Sequence, residues 1–444
     1  MAVHVVSKLD ISQHATFPLP TAGSQELAPS SVRVKTQLIT LSSNNLTYAK
    51  MGSALRWWDT YPVSPSYPAP YNDESKWGIV PAWGFASIEE SNIPELTPGT
   101  LLHGYWPTSA ALTDLKLQAT EPSGHWLEIS DHRQQLMPLY NRYNVQPTSL
   151  SAGAIANPTV AQSTELDKLG WSAVLQAIWQ AGYYLSEYVF SPREGIQPIH
   201  PLGNAAGLTW TDDDADVSKS VVVSLAPSGK TGRSFAYFFE RKSKEFAPLG
   251  LLQVTSAVEG LSRATESAAP PFPSNAIAYS DVSDPASIEW IRNLSPSKII
   301  VLDFGAREGA LDGLLAGIKQ DVLLAGSKIV LLQIGGPQKK MTAEEMAALM
   351  AKRAQEDIGR VQYNTSGVID SALAARGAEV LYGELAQEWE KLLSERHLAF
   401  PDLEIIWKDG VSGADGIEGG WDLLDNGKVG ASEALVYRVQ GAQT

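Results

Sequence analysis

The chain has 444 residues, 44% of them hydrophobic and 19% charged, the balance of a globular protein of two or three domains rather than a disordered one. A formal net charge of −15 argues against nucleic acid and anionic membrane surfaces as partners, because neither offers such a surface a counter-charge. There is no cysteine, which excludes disulfides, thiolate nucleophiles, iron–sulfur clusters and cysteine-ligated zinc. None of the seven histidines stands in an HxH or HExxH spacing, so metal catalysis is not expected. The opening MAVHVVSKLDISQHATFPLP lacks a basic region ahead of an apolar core, and no apolar run reaches membrane-spanning length. A cytoplasmic protein is the expectation.

Residues 1–33 read as a strand or two with a loose lead-in. From 34 to about 120 short β-like runs alternate with Pro and Gly, and Trp57, Trp58, Trp77, Trp83 and Trp106 all fall there. Residues 123–150 are polar and aromatic and contain DHRQQLMPLYNRYN; 151–163 form a small-residue linker. Residues 164–190 keep an apolar stripe at helical spacing, through Leu166, Leu169, Val174, Ile178, Ala181, Leu185 and Val189, and predict one long helix. The stretch 192–219 is a Pro/Gly/Asp-rich loop.

From Ser220 the texture changes. Strand-like runs at 221–225, 250–256, 276–280, 298–304 and 328–336 alternate with helical segments, which predicts a parallel doubly wound sheet. Amphipathic helices are expected over 341–354 and 377–397. The chain then returns to β-texture at 403–409 and 421–439.

The segment SVVVSLAPSGKTG at 220–232 carries most of the functional signal. A valine run ends in a small-residue turn that opens a helix, the layout that cradles a phosphate on backbone N–H groups and a helix N-terminus. Two readings stand. Ser228, Gly229, Lys230 and Thr231 end like a P-loop, although that motif's first glycine falls on Ser224, and Ile299–Asp303 would serve as its second acidic strand. The other reading is a dinucleotide turn of the Ser-Gly-x-x-Gly kind built on Gly229 and Gly232.

The order of a β-rich half, a nucleotide-binding α/β half and a C-terminal return resembles the medium-chain dehydrogenase/reductase superfamily. VKTQLITLSSNNLTYAKMG resembles its early segment, with Asn45 and Gly52 on pattern and Tyr48 where Asp is usual. APSGKTG resembles the cofactor turn of quinone oxidoreductases at Ser228, Gly229 and Gly232, with Lys230 in place of a glycine and Pro227 in place of an alanine. DNGKVGASEALVY at 425–437 resembles the closing strand. The combination NNLTYAK, WDTYP, PAWGFA, HGYWP, DHR, YNRYN, SGKT and LLQVTS resembles an uncharacterised bacterial and fungal family at the edge of this superfamily, described as a domain of unknown function.

This resemblance implies an α/β protein with a GroES-like β-rich substrate domain, residues 1–160 with 402–444, and a Rossmann domain, residues 161–401. It implies a zinc-free reductase acting on an activated alkene or carbonyl of a small molecule. The second strand ends Val254-Thr255-Ser256-Ala257 without the acidic residue that NAD-preferring sites use. Thr255 and Ser256 leave room for a 2′-phosphate and Arg263 or Lys242 supplies the charge, so NADP(H) is the expected cofactor; alternatively Thr255 and Ser256 cap the next helix. The resemblance places 44–50 facing the nicotinamide, with Tyr48 as proton donor or, alternatively, as a packing residue, and Asn45 as a holder of the substrate carbonyl. His132, between Asp131 and Arg133, is either a general acid or part of an Arg–Asp brace. The partners expected are a small-molecule substrate and a second copy of the chain. A cofactor-independent lyase, cyclase or isomerase on the same fold, a non-catalytic nucleotide-binding protein and a P-loop phosphotransferase remain alternatives.

Overall fold

The computed structural model describes residues 1–20, 26–190, 196–204, 210–336 and 360–440. The chain divides into two units, residues 1–177 with 404–444, and residues 178–403. Among the described residues no helix is long and apolar enough to cross a membrane.

In the second unit, the near-continuous apolar runs become a six-stranded parallel sheet. Its spatial order is Ser274–Ala278, Gly250–Thr255, Ser220–Leu225, Lys298–Asp303, Lys328–Gln333, Arg360–Gln362. Numbered along the unit, that order is 3-2-1-4-5-6, the doubly wound arrangement in which the first and fourth strands lie side by side. The central strands Ser220–Leu225, Gly250–Thr255 and Lys298–Asp303 are buried throughout, which is why they read as unbroken apolar runs rather than alternating ones. The last strand is three half-buried or exposed residues, Arg360–Gln362, too short and too polar to stand out in the sequence. The helix expected over 341–354 lies outside the described residues; that expected over 377–397 is present as Ala378–Ser394 and Arg396–Ala399.

The first unit is a β-rich body. Eight strands run Glu404–Asp409, Glu433–Arg438, Ser31–Leu41, Pro81–Ser91, Leu101–Pro107, Arg142–Val145, His125–Glu128, Leu112–Thr120. The last of these pairs back onto Ser31–Leu41, from Ser31 with Lys116 to Lys35 with Leu112, so six of the strands close into a barrel with no free edge between them. Its interior holds Val32, Val34, Ile39, Ala86, Leu102, Leu117 and Trp126. The remainder of Ser31–Leu41 pairs with Glu433–Arg438, so the C-terminal strands belong to this sheet and not to the parallel one.

Two sequence expectations are corrected. The single helix over 164–190 is instead Ser163–Leu175, Trp179–Tyr184 and a wide π turn at Leu185–Val189, and its first piece lies in the first unit. There Gly170 makes room for the indole of Trp407, which would stand 2.6 Å from a Cβ at that position. The β-texture over 421–439 yields only Glu433–Arg438 as strand, because Ile417–Asp425 is a helix.

Candidate functional site

In the second unit the chain leaves strand Ser220–Leu225 through Ala226, held at φ +60, and enters helix Lys230–Phe239 with Gly229 as N-cap. The turn therefore spans only Ala226–Gly229. It sits at the carboxyl end of the first strand beside the fourth, the switch point where doubly wound sheets open a crevice for ligands. No side chain caps this helix, and among the described residues the N–H groups of Gly229, Lys230, Thr231 and Gly232 have no acceptor. They are the orphan donors of a helix start, electropositive and unsatisfied.

The two glycines do different work. A Cβ on Gly232 would stand 2.6 Å from the Cα and 2.7 Å from the carbonyl oxygen of Pro227, so Gly232 lets the helix pack onto the turn's own backbone. A Cβ on Gly229 would meet nothing within 4 Å, so Gly229 faces open space. Lys230 has no hydrogen-bond or ion-pair partner among the described residues, and burial of its amine, with Arg233 close by, lowers its pKa to about 8. An unpaired, desolvated cation and four unsatisfied N–H donors fit a bound phosphate.

The P-loop reading fails on register. Its first glycine position, Ser224, is a buried strand residue paired with Gln253 on one side and Leu302 on the other. Only four residues remain for the loop, too few to wrap a phosphate as that motif does. Asp303, the expected second acidic residue, accepts from the N–H groups of Gly305 at 2.9 Å and Ala306 at 2.7 Å and closes its own loop.

At the end of the second strand, Thr255 is buried and its Oγ1 accepts from Ala257 N–H at 3.0 Å, so it closes the turn rather than facing a ligand. Ser256 and Arg263 are exposed. Lys242, the other candidate cation, is buried and committed, donating to the Ser186 carbonyl at 2.9 Å and to Glu187 at 3.0 Å. Of the two, Arg263 alone remains.

In the first unit, Ser43–Lys50 is a short helix with a capping box. The Asn45 side-chain oxygen accepts from Ser42 N–H at 2.8 Å and its amide nitrogen donates to the Pro81 carbonyl at 2.9 Å. Both ends of that amide are engaged, so Asn45 shapes the helix start, and only its second amide N–H is left for a substrate carbonyl. Tyr48 faces a cluster of rings: Trp57, Tyr105 and Tyr140 lie with centroids 4.8, 5.2 and 5.9 Å from its own. Its hydroxyl accepts from Trp83 Nε1 at 3.1 Å, and burial pushes its pKa up to about 12, which keeps the proton in place. The buried Tyr105 hydroxyl in the same cluster has no hydrogen-bond partner among the described residues.

His132 lies at the surface, where desolvation and then the neighbouring Arg133 lower its pKa and disfavour the charged form. The brace expected there exists with a different partner. Arg133, 1% exposed, donates to the Thr60 carbonyl at 3.1 Å and to the Tyr143 hydroxyl at 2.8 Å, and its acidic neighbour is buried Glu128 at 3.4 Å, not Asp131. Tyr143 in turn donates to the Tyr105 carbonyl at 3.0 Å and Asn141 to the Arg133 carbonyl at 3.0 Å, so the YNRYN segment staples this insertion to the barrel.

The chain matches, over residues 39–430, the family model described as protein of unknown function DUF2855. No curated protein matches it. Among solved structures it is similar to CurA from Vibrio vulnificus, at 12% identity over 99% of this chain and 100% of that one with a TM-score of 0.49. The complex of that protein with NADPH gives 13% identity, 99% of each chain and a TM-score of 0.49. A mutant enoyl thioester reductase from Candida tropicalis gives 12% identity over 98% and 99% with a TM-score of 0.47.

Proposed function

The chain belongs to the DUF2855 family, whose description leaves its activity open, and we propose that it is an NADP(H)-dependent, zinc-independent reductase acting on an activated alkene or carbonyl of a small organic molecule. One observation carries the reading: a 3-2-1-4-5-6 parallel sheet whose first strand ends, beside the switch point, in a glycine turn with unsatisfied N–H donors. The closed barrel of the first unit supports reading it as a GroES-like substrate domain. In these terms the N–H groups of Gly229–Gly232 and the Lys230 ammonium hold the pyrophosphate, and Gly232 keeps the helix start close to the turn. Ser256 and Arg263 take the 2′-phosphate, the reason for NADP(H) over NAD(H), since no acidic residue ends the second strand to hold a free ribose hydroxyl.

A bound nicotinamide supplies the hydride. The protein's own chemistry is to orient the substrate and to stabilise the enolate or alkoxide that forms. Tyr48 is the proposed donor: its phenol is buried, protonated and fixed by Trp83, and it delivers a proton to substrate oxygen or carbon while the surrounding rings exclude water.

Titration with NADPH, NADH and ATP–Mg²⁺, followed by cofactor fluorescence and competition, tests the reading. NADPH is expected to bind more tightly than NADH. Binding of ATP–Mg²⁺ without NADPH, or product formation with no nicotinamide present, overturns it.

A further inference from the structure

The peptide joining Ser228 to Gly229 closes the turn at the helix start, and one side chain holds it. Arg233 is 1% exposed and donates from Nε to the Ser228 carbonyl at 2.7 Å. Its two terminal nitrogens grip the Asp402 carboxylate at 2.6 and 2.8 Å. The guanidinium fork is thus divided between a backbone carbonyl and a bidentate carboxylate, an arrangement lysine cannot reproduce. Asp402 owes its position to Gly260, where any Cβ would run into that carboxylate.

A trans peptide carries its C=O and N–H on opposite sides, and this bond is not among the cis ones. Holding the Ser228 carbonyl at Arg233 therefore turns the Gly229 N–H away from the guanidinium. The tight turn over Pro227 and Ser228 favours the same orientation, and among the described residues no other side chain fixes it. Gly229 has φ −69, but glycine tolerates the positive φ of the flipped peptide equally well, and the space around it is open. Because Asp402 neutralises Arg233, the guanidinium does not compete for an anion, and Lys230 is left as the turn's free cation.

We propose that Arg233, held by Asp402, is a positioning residue that locks the Ser228–Gly229 peptide so that the Gly229 N–H joins the orphan donors of the helix start in holding a dinucleotide's pyrophosphate. This rests on the cofactor reading above. Without the lock, the flipped peptide presents a carbonyl oxygen to the phosphate and repels it.

The test measures NADPH binding, binding of adenosine 2′-monophosphate by displacement, and thermal midpoint for the parent, Arg233→Lys and Asp402→Asn. Arg233→Lys is expected to weaken NADPH binding about tenfold, in line with losing one hydrogen bond from a charged donor, while the 2′-monophosphate, which has no pyrophosphate, binds as before. Asp402→Asn keeps the side chain's shape and is expected to give the same selective loss at about threefold; it carries the test if Arg233→Lys does not fold. Equal weakening of both ligands in step with the thermal midpoint reduces the pair to a structural brace and overturns the lock. NADPH affinity unchanged in both variants overturns the lock and leaves the cofactor reading standing. A parent that binds no NADPH overturns the cofactor reading and the lock with it.

Discussion

Alanine at Gly232 and alanine at Gly229 separate what holds the turn together from what it binds. At Gly232 the new Cβ would stand 2.6 Å from Pro227 Cα, 2.7 Å from its oxygen and 2.9 Å from its carbonyl carbon. Ordinary contact begins near about 3.4 Å, and because the obstacle is backbone the turn must move by roughly 0.8 Å. Overpacking of that kind costs about 2–3 kcal/mol, against which alanine's better helix propensity returns up to about 1 kcal/mol. The net of about 1–2 kcal/mol lowers the thermal midpoint of a unit this size by about 2–8 °C. A shift of roughly 0.8 Å also exceeds what hydrogen bonds from the turn tolerate, so NADPH affinity is expected to fall at least about tenfold. At Gly229 the Cβ meets no protein atom and the residue already has φ −69. Loss of a glycine N-cap costs under about 1 kcal/mol, so the midpoint stays within about 4 °C while the added methyl stands in the anion's space and weakens NADPH binding. Differential scanning calorimetry and fluorescence titration read the two effects separately. Gly232→Ala with parental midpoint and affinity refutes the packing argument; Gly229→Ala with parental affinity refutes the turn as the pyrophosphate site.

Three further outcomes follow from the same geometry. The Lys230 amine titrates near 8 because of burial and then Arg233, so NADPH affinity is expected to be level at lower pH and to fall as pH rises through 8; Lys230→Met binds weakly with no such dependence. The folded pKa lies below the unfolded one near 10.4, so the parent gains stability as pH rises from about 8 to about 10, and a urea midpoint flat over that range contradicts the assignment. Tyr48→Phe leaves Trp83 Nε1 without its acceptor, costing about 1–3 kcal/mol, and is expected to lower turnover about tenfold or more at unchanged NADPH affinity; unchanged turnover makes Tyr48 a packing residue. Burial holds His4, next to His14, and His103 neutral down to about pH 3, whereas in the unfolded chain each takes a proton below about 6.5. The folded state therefore loses up to about 1.4 kcal/mol per pH unit for each histidine as pH falls from about 6.5 toward 3, and a His103→Gln variant should show a shallower acid slope than the parent in urea unfolding at pH 7 and 5.

The parallel sheet was legible because its strands are buried on both faces and leave unbroken apolar runs. The helix Ile417–Asp425 was not, and its glycines are the reason. Gly419 and Gly420 are poor helix formers, yet a Cβ on the first would strike the Ala414 backbone and on the second the Tyr437 hydroxyl, so tertiary packing overrides propensity there. The glycine turn was found from spacing, but its inner logic was not. In the sequence Gly229 and Gly232 read alike as glycines of a dinucleotide turn, whereas in the structure a side chain at Gly232 would strike the chain's own Pro227. The Arg233–Asp402 pair joins residues 169 positions apart and leaves no local signature. Asn45 did leave one, since Ser42 followed three residues later by an amide is a capping pattern.

The pairing of Ser31–Leu41 with Glu433–Arg438 also sets a timetable. Thr40 Oγ1 reaches the Leu435 carbonyl across 395 positions of sequence. At synthesis rates of about 5–20 residues per second, the earlier strand waits roughly 20–80 seconds for its neighbour, long enough for residues 178–403 to emerge complete in the meantime. During that interval the Leu38–Leu41 edge offers unpaired backbone to any passing strand. A chain halted after residue 403 keeps that edge open permanently, so it should aggregate on release, whereas the excised 178–403 segment, whose described strands all pair within it, should stay dispersed.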